Sequence, residues 1–274
     1  MPDGLELRGL RVQAGERVLV HDVDLALGAG EILALVGSSG SGKTLTARAI
    51  LGLPGPRPGV VAARLSVRVG GEVLEPYAGL AEAVAAGRPE RFWRQAPSAF
   101  ADLRGRLVGY MAQDARGALD PLWTVARQLR EAQALGDSPG SPSDWLRRAG
   151  FAQPEELLDL FPHQLSGGMA QRACLALALA RGSRFLIADE PTTGLDPTVQ
   201  QAILAELRAK ADAGLGVLLI THDLRITARY ADRVQILEGG RSVETLPAAA
   251  LREARSAEAR ALIAATARVS GGWL

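Results

Sequence analysis

The sequence is short of several things that would point to particular chemistries. Of 274 residues one is a cysteine, Cys174, and three are histidines. A single thiol excludes an internal disulfide and any complete cysteine-built zinc or iron–sulfur site. It lies in Ala173-Cys174-Leu175-Ala176-Leu177-Ala178, the setting of a buried structural thiol. Formal net charge is only +1, so there is no general electrostatic pull toward nucleic acid. No run approaches the ~20 apolar residues that a membrane-crossing helix needs. Met1-Pro2-Asp3-Gly4 does not lead into the basic and apolar segments of a secretory signal. The chain is therefore expected in the cytosol, and any membrane task would need a partner to supply the membrane-spanning part.

What is present is ordinary globular material, 47% apolar and 22% charged. The length is large for a single compact core, so one domain with a large insertion, or two lobes, is expected. Leu5–Val12 and Val18–Leu27 alternate like half-buried strands. Ile32-Leu33-Ala34-Leu35-Val36 is apolar throughout, as a central parallel strand is. Val67–Val69, Gly70-Gly71 and Glu72–Leu74 read as a hairpin with a two-residue turn. Leu107–Ala112 reads as a strand and Thr124–Leu135 as a helix, with Ser143 expected to cap the next short helix. From Ser183 onward strands and helices alternate, which implies a parallel sheet wrapped by helices. Residues from about 246 onward read as one or two amphipathic helices.

Four short stretches carry chemistry. Gly37-Ser38-Ser39-Gly40-Ser41-Gly42-Lys43-Thr44 follows an apolar strand and precedes a helical stretch, the context a phosphate-binding loop requires. Its glycines turn backbone N–H groups toward phosphates, and the helix N-terminus adds partial positive charge. Lys43 is placed to contact the outer phosphates and Thr44 to ligate Mg²⁺. Phe185-Leu186-Ile187-Ala188-Asp189-Glu190 is a buried strand ending in two carboxylates. Successive strand residues face opposite ways, so Asp189 can hold Mg²⁺ through water while Glu190 polarises the attacking water. His222, after Ile220-Thr221, also follows a strand end and can reach the same crevice as a γ-phosphate contact. Leu165-Ser166-Gly167-Gly168-Met169 precedes a helix that is apolar nearly all round, and Ser166 can cap that helix and direct its hydroxyl and nearby amides at an anion. His21 reads as a surface residue, and His163 stays unassigned.

Together with Gln113, these segments resemble the ATP-binding subunit of ABC transporters over about Leu5 to Glu244. The resemblance implies an α/β P-loop cassette with a parallel core sheet, a small antiparallel β subdomain and an inserted helical subdomain at about 114–165. It implies one nucleotide-binding domain over 1–245 and a short helical tail over 246–274. It also implies a dimer in which ATP lies between the phosphate loop of one subunit and Ser166, Gly167 and Gly168 of the other. By position, Gln113 becomes the loop glutamine that senses Mg²⁺ and couples to a membrane subunit. Gly194-Leu195-Asp196 becomes the loop that communicates across the dimer and contacts nucleotide, with Glu190 the general base and His222 the switch histidine.

Leu119-Asp120-Pro121 ahead of Thr124-Val125, and Phe161-Pro162-His163-Gln164 ahead of Leu165, resemble the peptide/nickel importer branch more narrowly. That branch implies two permeases, a second ATPase (a paralogue or another copy), an external binding protein, and a peripheral place on the cytoplasmic face of the inner membrane. The chain departs from the pattern in having Ala14 where an aromatic usually stacks on adenine, Asp120 where the branch has asparagine, and no cysteine-rich tail. The expected function is ATP-driven energising of an importer for short peptides or nickel and other metal chelates. The alternatives are an accessory ATPase of a soluble assembly, as in phosphonate breakdown, and, further off, a soluble ABC ATPase acting on DNA or the ribosome.

Overall fold

The computed structural model describes residues 2–53, 55–87, 92–94, 97–136 and 138–270. Two sheets carry the fold. The first is antiparallel, in the order β2-β1-β4-β5, from β1 (Gly4–Ala14), β2 (Arg17–Gly28), β4 (Pro58–Val69) and β5 (Glu72–Leu74). The β4–β5 hairpin turns at Gly70-Gly71 and pairs Val69 with Glu72, as the sequence leads one to expect. The second sheet runs β10-β9-β3-β8-β7-β6, from β3 (Ile32–Gly37), β6 (Val108–Met111), β7 (Phe185–Asp189), β8 (Gly216–Ile220), β9 (Arg233–Glu238) and β10 (Arg241–Pro247). Every pair in it is parallel except β9–β10. That antiparallel edge strand is an addition to the expected parallel sheet. Its polar sequence and mostly open burial pattern are those of a sheet edge.

The helices are α1 (Lys43–Ile50), α2 (Leu80–Ala85), α3 (Pro97–Asp102), α4 (Ala115–Ala118), α5 (Val125–Gly136), α6 (Pro142–Arg148), α7 (Gly167–Ala180), α8 (Pro197–Asp212), α9 (Leu224–Tyr230) and α10 (Ala257–Ser270). Strand alternation sorts the core. Phe185 and Ile187 of β7 share a buried cluster with Leu7 and Val23 of the antiparallel sheet and with Leu35 of β3. Leu186, between them, packs with Leu129, Leu146 and Leu175 of α5, α6 and α7. Each such buried side chain contributes about 1.5–3 kcal/mol, so β7 is fastened from both sides before it delivers its last residue to the site. Cys174 is buried as expected, and burial pushes its thiol up to about 12.

The cap of α6 is Ser141, not Ser143. Its Oγ accepts from the Asp144 amide at 3.2 Å while Asp144 Oδ2 accepts from the Ser141 amide at 2.9 Å. Pro142 at the first helical position fixes that register, because a missing N–H costs nothing there.

The carboxyl-terminal region is a 3₁₀ stretch, Ala248–Glu253, followed by α10. Glu244 of β10 fastens it, accepting from the Arg255 amide at 2.9 Å, the Ser256 amide at 2.9 Å and the Ser256 hydroxyl at 2.7 Å. These bonds favour the carboxylate and lower its pKa. A depressed carboxylate pKa supports folding above the unfolded pKa and ceases to do so as pH falls through the folded one. Glu244→Gln is expected to melt slightly earlier than the parent at pH 7. The difference closes on acidification below the carboxylate range, as thermal denaturation across pH 7 to 3 would show.

Candidate functional site

Four neighbouring strands, β3, β8, β7 and β6, end on one side of the second sheet. They are followed by the phosphate loop, by Thr221-His222, by Glu190 and by Gln113. Ligands of parallel sheets sit beyond such carboxyl ends, and this strand order explains how segments far apart in sequence meet.

The loop is tightly seated. A Cβ on Gly37 would lie 2.1 Å from the Leu237 carbonyl oxygen, so only glycine fits beneath β9. Gly42 takes φ 100°, a left-handed conformation open to glycine, just before α1 begins. Ser38 Oγ donates to Glu238 Oε2 at 2.8 Å. Lys43 is 8% exposed and its Nζ donates to the carbonyls of Gly37 (2.9 Å) and Ser38 (2.8 Å) and to Ser41 Oγ (3.4 Å). Burial lowers its pKa, against the pull of the Glu190, Asp189 and Glu238 carboxylates, which favour the ammonium.

Asp189 is 1% exposed. Neither of its carboxylate oxygens has a hydrogen bond of proper geometry, although the Thr44 and Tyr110 hydroxyls approach closely enough to favour the ionised form. Burial pushes the other way and dominates, so its pKa is raised. An orphaned buried carboxylate beside a threonine hydroxyl is a donor set that suits a hard divalent cation with water in its shell.

Glu190 is the most heavily held residue of the site. It has φ 50°, unusual outside glycine, at a cost of roughly 1–3 kcal/mol. Its amide donates to the Ile220 carbonyl at 3.0 Å, which binds the end of β7 to the end of β8. Its Oε2 accepts from Gln113 Nε2 at 3.2 Å and from Thr193 Oγ1 at 3.0 Å, and its Oε1 lies 3.5 Å from His222 Nδ1. Its carbonyl accepts from Gln171 Nε2 of α7 at 3.0 Å. Gln113, Glu190 and His222 are thus brought together as expected, while Gln171 and Thr193 were not foreseen. Thr193, three residues past Glu190 in a turn, was within reach of a local reading; Gln171 becomes visible only once α7 is docked.

Ser166 caps α7, accepting from the Met169 amide at 3.3 Å. Ser166 and Gly167 are exposed and Gly168 is half-buried. Among the described residues none of these three forms a hydrogen bond or ion pair with the phosphate loop of the same chain. Asp196 is also engaged locally, its Oδ1 capping α8 through the amides of Thr198 (3.1 Å) and Val199 (3.0 Å). His163 stacks on Phe161, with ring centroids 5.8 Å apart. His21 is half-buried, its Nδ1 3.4 Å from Arg241. Ala14 pairs with Arg17 across the β1–β2 turn.

A family model described as "ABC transporter" matches residues 20–193. The chain belongs to that family. It is 38% identical over 271 residues to the nickel import ATP-binding protein NikD of Pseudomonas putida, covering 96% of this chain and 95% of that one. It is also 38% identical over 234 residues to the oligopeptide transport ATP-binding protein OppD of Lactococcus lactis, covering 82% of this chain and 63% of that one. A solved ATP-binding subunit of an ABC transporter superposes with a TM-score of 0.68 at 28% identity, over 96% of this chain and 98% of the other. A dimeric ATP-binding cassette bound to ADP and Pi shares the fold with a TM-score of 0.68 at 23% identity, over 89% of this chain and 98% of the other. The expected α/β cassette is therefore the fold of this chain, and its ATPase character goes with the family.

Asp189→Asn removes a buried charge that lacks a hydrogen bond of good geometry and is expected to stabilise the nucleotide-free protein by about 1 kcal/mol, or roughly 2–4 °C in Tm. The same variant should lose the further Tm increase that Mg·ATP gives the parent. Melting curves with and without Mg·ATP check both.

Proposed function

We propose that this chain is the ATP-hydrolysing, energy-coupling subunit of a binding-protein-dependent ABC importer for short peptides or for nickel and other metal chelates. The observation that carries the reading is the clamp on Glu190, formed by Gln113, Thr193 and His222 beside a phosphate loop. Similarity along 95% of a nickel-import ATPase and 63% of an oligopeptide-transport ATPase supports the cargo class.

The geometry supports a role for each residue. Lys43 would exchange its bonds to the loop carbonyls for the outer phosphates of ATP, which the N-terminus of α1 would favour. Thr44 and Asp189, with Gln113 alongside, would hold Mg²⁺, which neutralises charge developing on the phosphates. Glu190 accepts the proton of the attacking water, and its two partners on Oε2 leave Oε1 facing His222. That ring then sits where it can follow the γ-phosphate. Ser166, Gly167 and Gly168 serve the ATP of a second ATPase, either a paralogue or another copy, with Asp196 at the same interface. An isolated chain therefore holds half of each composite site.

The remaining partners are two permeases and, through them, an external binding protein, with the chain peripheral on the cytoplasmic face of the inner membrane. No helix among the described residues is long and apolar enough to cross a membrane. A cavity of about 790 Å³ lies at the far end of α1, away from the phosphates. Among the described residues, Arg57, Arg94 and Arg104 line it with Trp93 and Phe100, and no carboxylate does. It suits an acidic, partly apolar segment of a permease, which α1 would connect to Lys43.

Glu190→Gln is expected to lower kcat by 10² or more while leaving ATP binding intact, so that ATP-bound dimers accumulate. Tagged Glu190→Gln protein recovered from its native membranes with Mg·ATP should bring down two polytopic permeases and an ATPase. Hydrolysis at the parent rate, or recovery of soluble proteins alone, would overturn the assignment.

A further inference from the structure

The segment after Gln113 is tied to the start of α7. Asp114 caps the single turn of α4, its Oδ1 accepting from the Gly117 amide at 3.0 Å. From that turn, Arg116 donates through a guanidinium nitrogen to the Leu165 carbonyl at 3.0 Å. Cys174 Sγ, on α7, donates to the Ala115 carbonyl at 3.2 Å. These contacts complete a ring. Glu190 accepts from Gln113; the turn that follows holds Leu165; Leu165 leads through Ser166 into α7; and Gln171 of α7 returns to the Glu190 carbonyl.

The Leu165 carbonyl belongs to the same rigid peptide plane as the Ser166 N–H. Leu165 is 2% exposed, so its side chain is anchored, and the remaining freedom of this junction is rotation of that plane. A guanidinium bond to the carbonyl removes the rotation. It therefore fixes where the Ser166 amide points and where the Ser166 hydroxyl begins its cap on α7. We infer that Arg116 is a positioning residue for the nucleotide of the opposite subunit, holding the Leu165–Ser166 peptide so that displacement of Gln113 at its own site is passed to the Ser166–Gly168 surface. The inference rests on the proposed ATP-sandwich dimer and adds to it a residue through which one site acts on the other.

The test uses Arg116→Ala, Arg116→Met and Arg116→Lys in the Glu190→Gln chain, alone or with the partner ATPase recovered in the pull-down. Met keeps the apolar stem and removes the donors, which covers the case in which Ala does not fold. Affinity of the monomer for a fluorescent ATP analogue is expected to stay within twofold of the parent. The ATP concentration for half-maximal dimerisation, read by sedimentation, is expected to rise about tenfold in the Ala and Met variants, the size of one lost charge-assisted hydrogen bond. Lys should recover part of the loss. An unchanged midpoint overturns the role of Arg116 and leaves the ATPase reading standing. Equal loss of monomer affinity and dimerisation overturns it too, because that pattern is general damage. A Glu190→Gln parent that never dimerises with ATP removes the sandwich reading itself, and the role of Arg116 with it.

Discussion

The site depends on one constraint, the parallel register of β3, β8 and β7. Leu35 is level with Ile220, and Ile220 with Asp189. Because these three strands stop within a residue or two of one another, the segments that follow them emerge side by side. The Glu190 amide then closes the row by donating to Ile220. Advancing β7 by a single position would exchange its two buried faces, moving Asp189 out of contact with Thr44 and sending Leu186 away from α5 and α7. Apolar packing on both sides of β7 forbids that shift. Core burial therefore fixes the position of two carboxylates that contribute nothing to the core themselves.

The same packing sets the electrostatics. Lys43 and Asp189 are both largely withdrawn from water, and burial acts against the charged form of each. Neither would remain ionised at low cost alone. The ammonium is surrounded by loop carbonyls and faced by three carboxylates, whereas Asp189 has a cation nearby but no hydrogen bond of good geometry. The arrangement is thus balanced for the cation and incomplete for the anion. An incoming divalent ion would correct the shortfall at Asp189, and phosphates would draw Lys43 off its internal acceptors. Nucleotide and metal then reinforce one another, because each relieves a different unfavourable term.

Much of this was legible in the sequence, and what was legible shares a property: its chemistry is written in consecutive residues. Gly37 to Thr44, the Asp189-Glu190 pair after an apolar strand, and Ser166 before an apolar helix are short-range signals. The elements missed are those whose meaning is long-range or edge-bound. Gln171 reaches Glu190 only because α7 packs beneath β7, and Arg116 reaches Leu165 across 49 positions of chain. Strand β10 alternates weakly because an edge strand exposes most of its side chains. The cap of α6 was misread for a different reason. Ser141-Pro142-Ser143-Asp144 carries two serines, and the carboxylate three residues on, which completes a reciprocal cap, selects the first.

Glu190 also explains why one chain can carry an unfinished site without being unstable. Its left-handed backbone is held by a β8 carbonyl and by Gln171, and its carboxylate by Gln113, Thr193 and His222, all within one chain. The carboxylate proposed as general base is therefore positioned within the chain itself. Ser166 and Gly167, by contrast, lie exposed and, among the described residues, form no hydrogen bond with their own phosphate loop. In the proposed dimer, separating the two halves would stop hydrolysis from running ahead of assembly, because the base would be ready while the charge on the phosphates is only half surrounded. Binding energy released when the proposed second surface arrives would then go into closing the dimer, a motion that the proposed permease would feel.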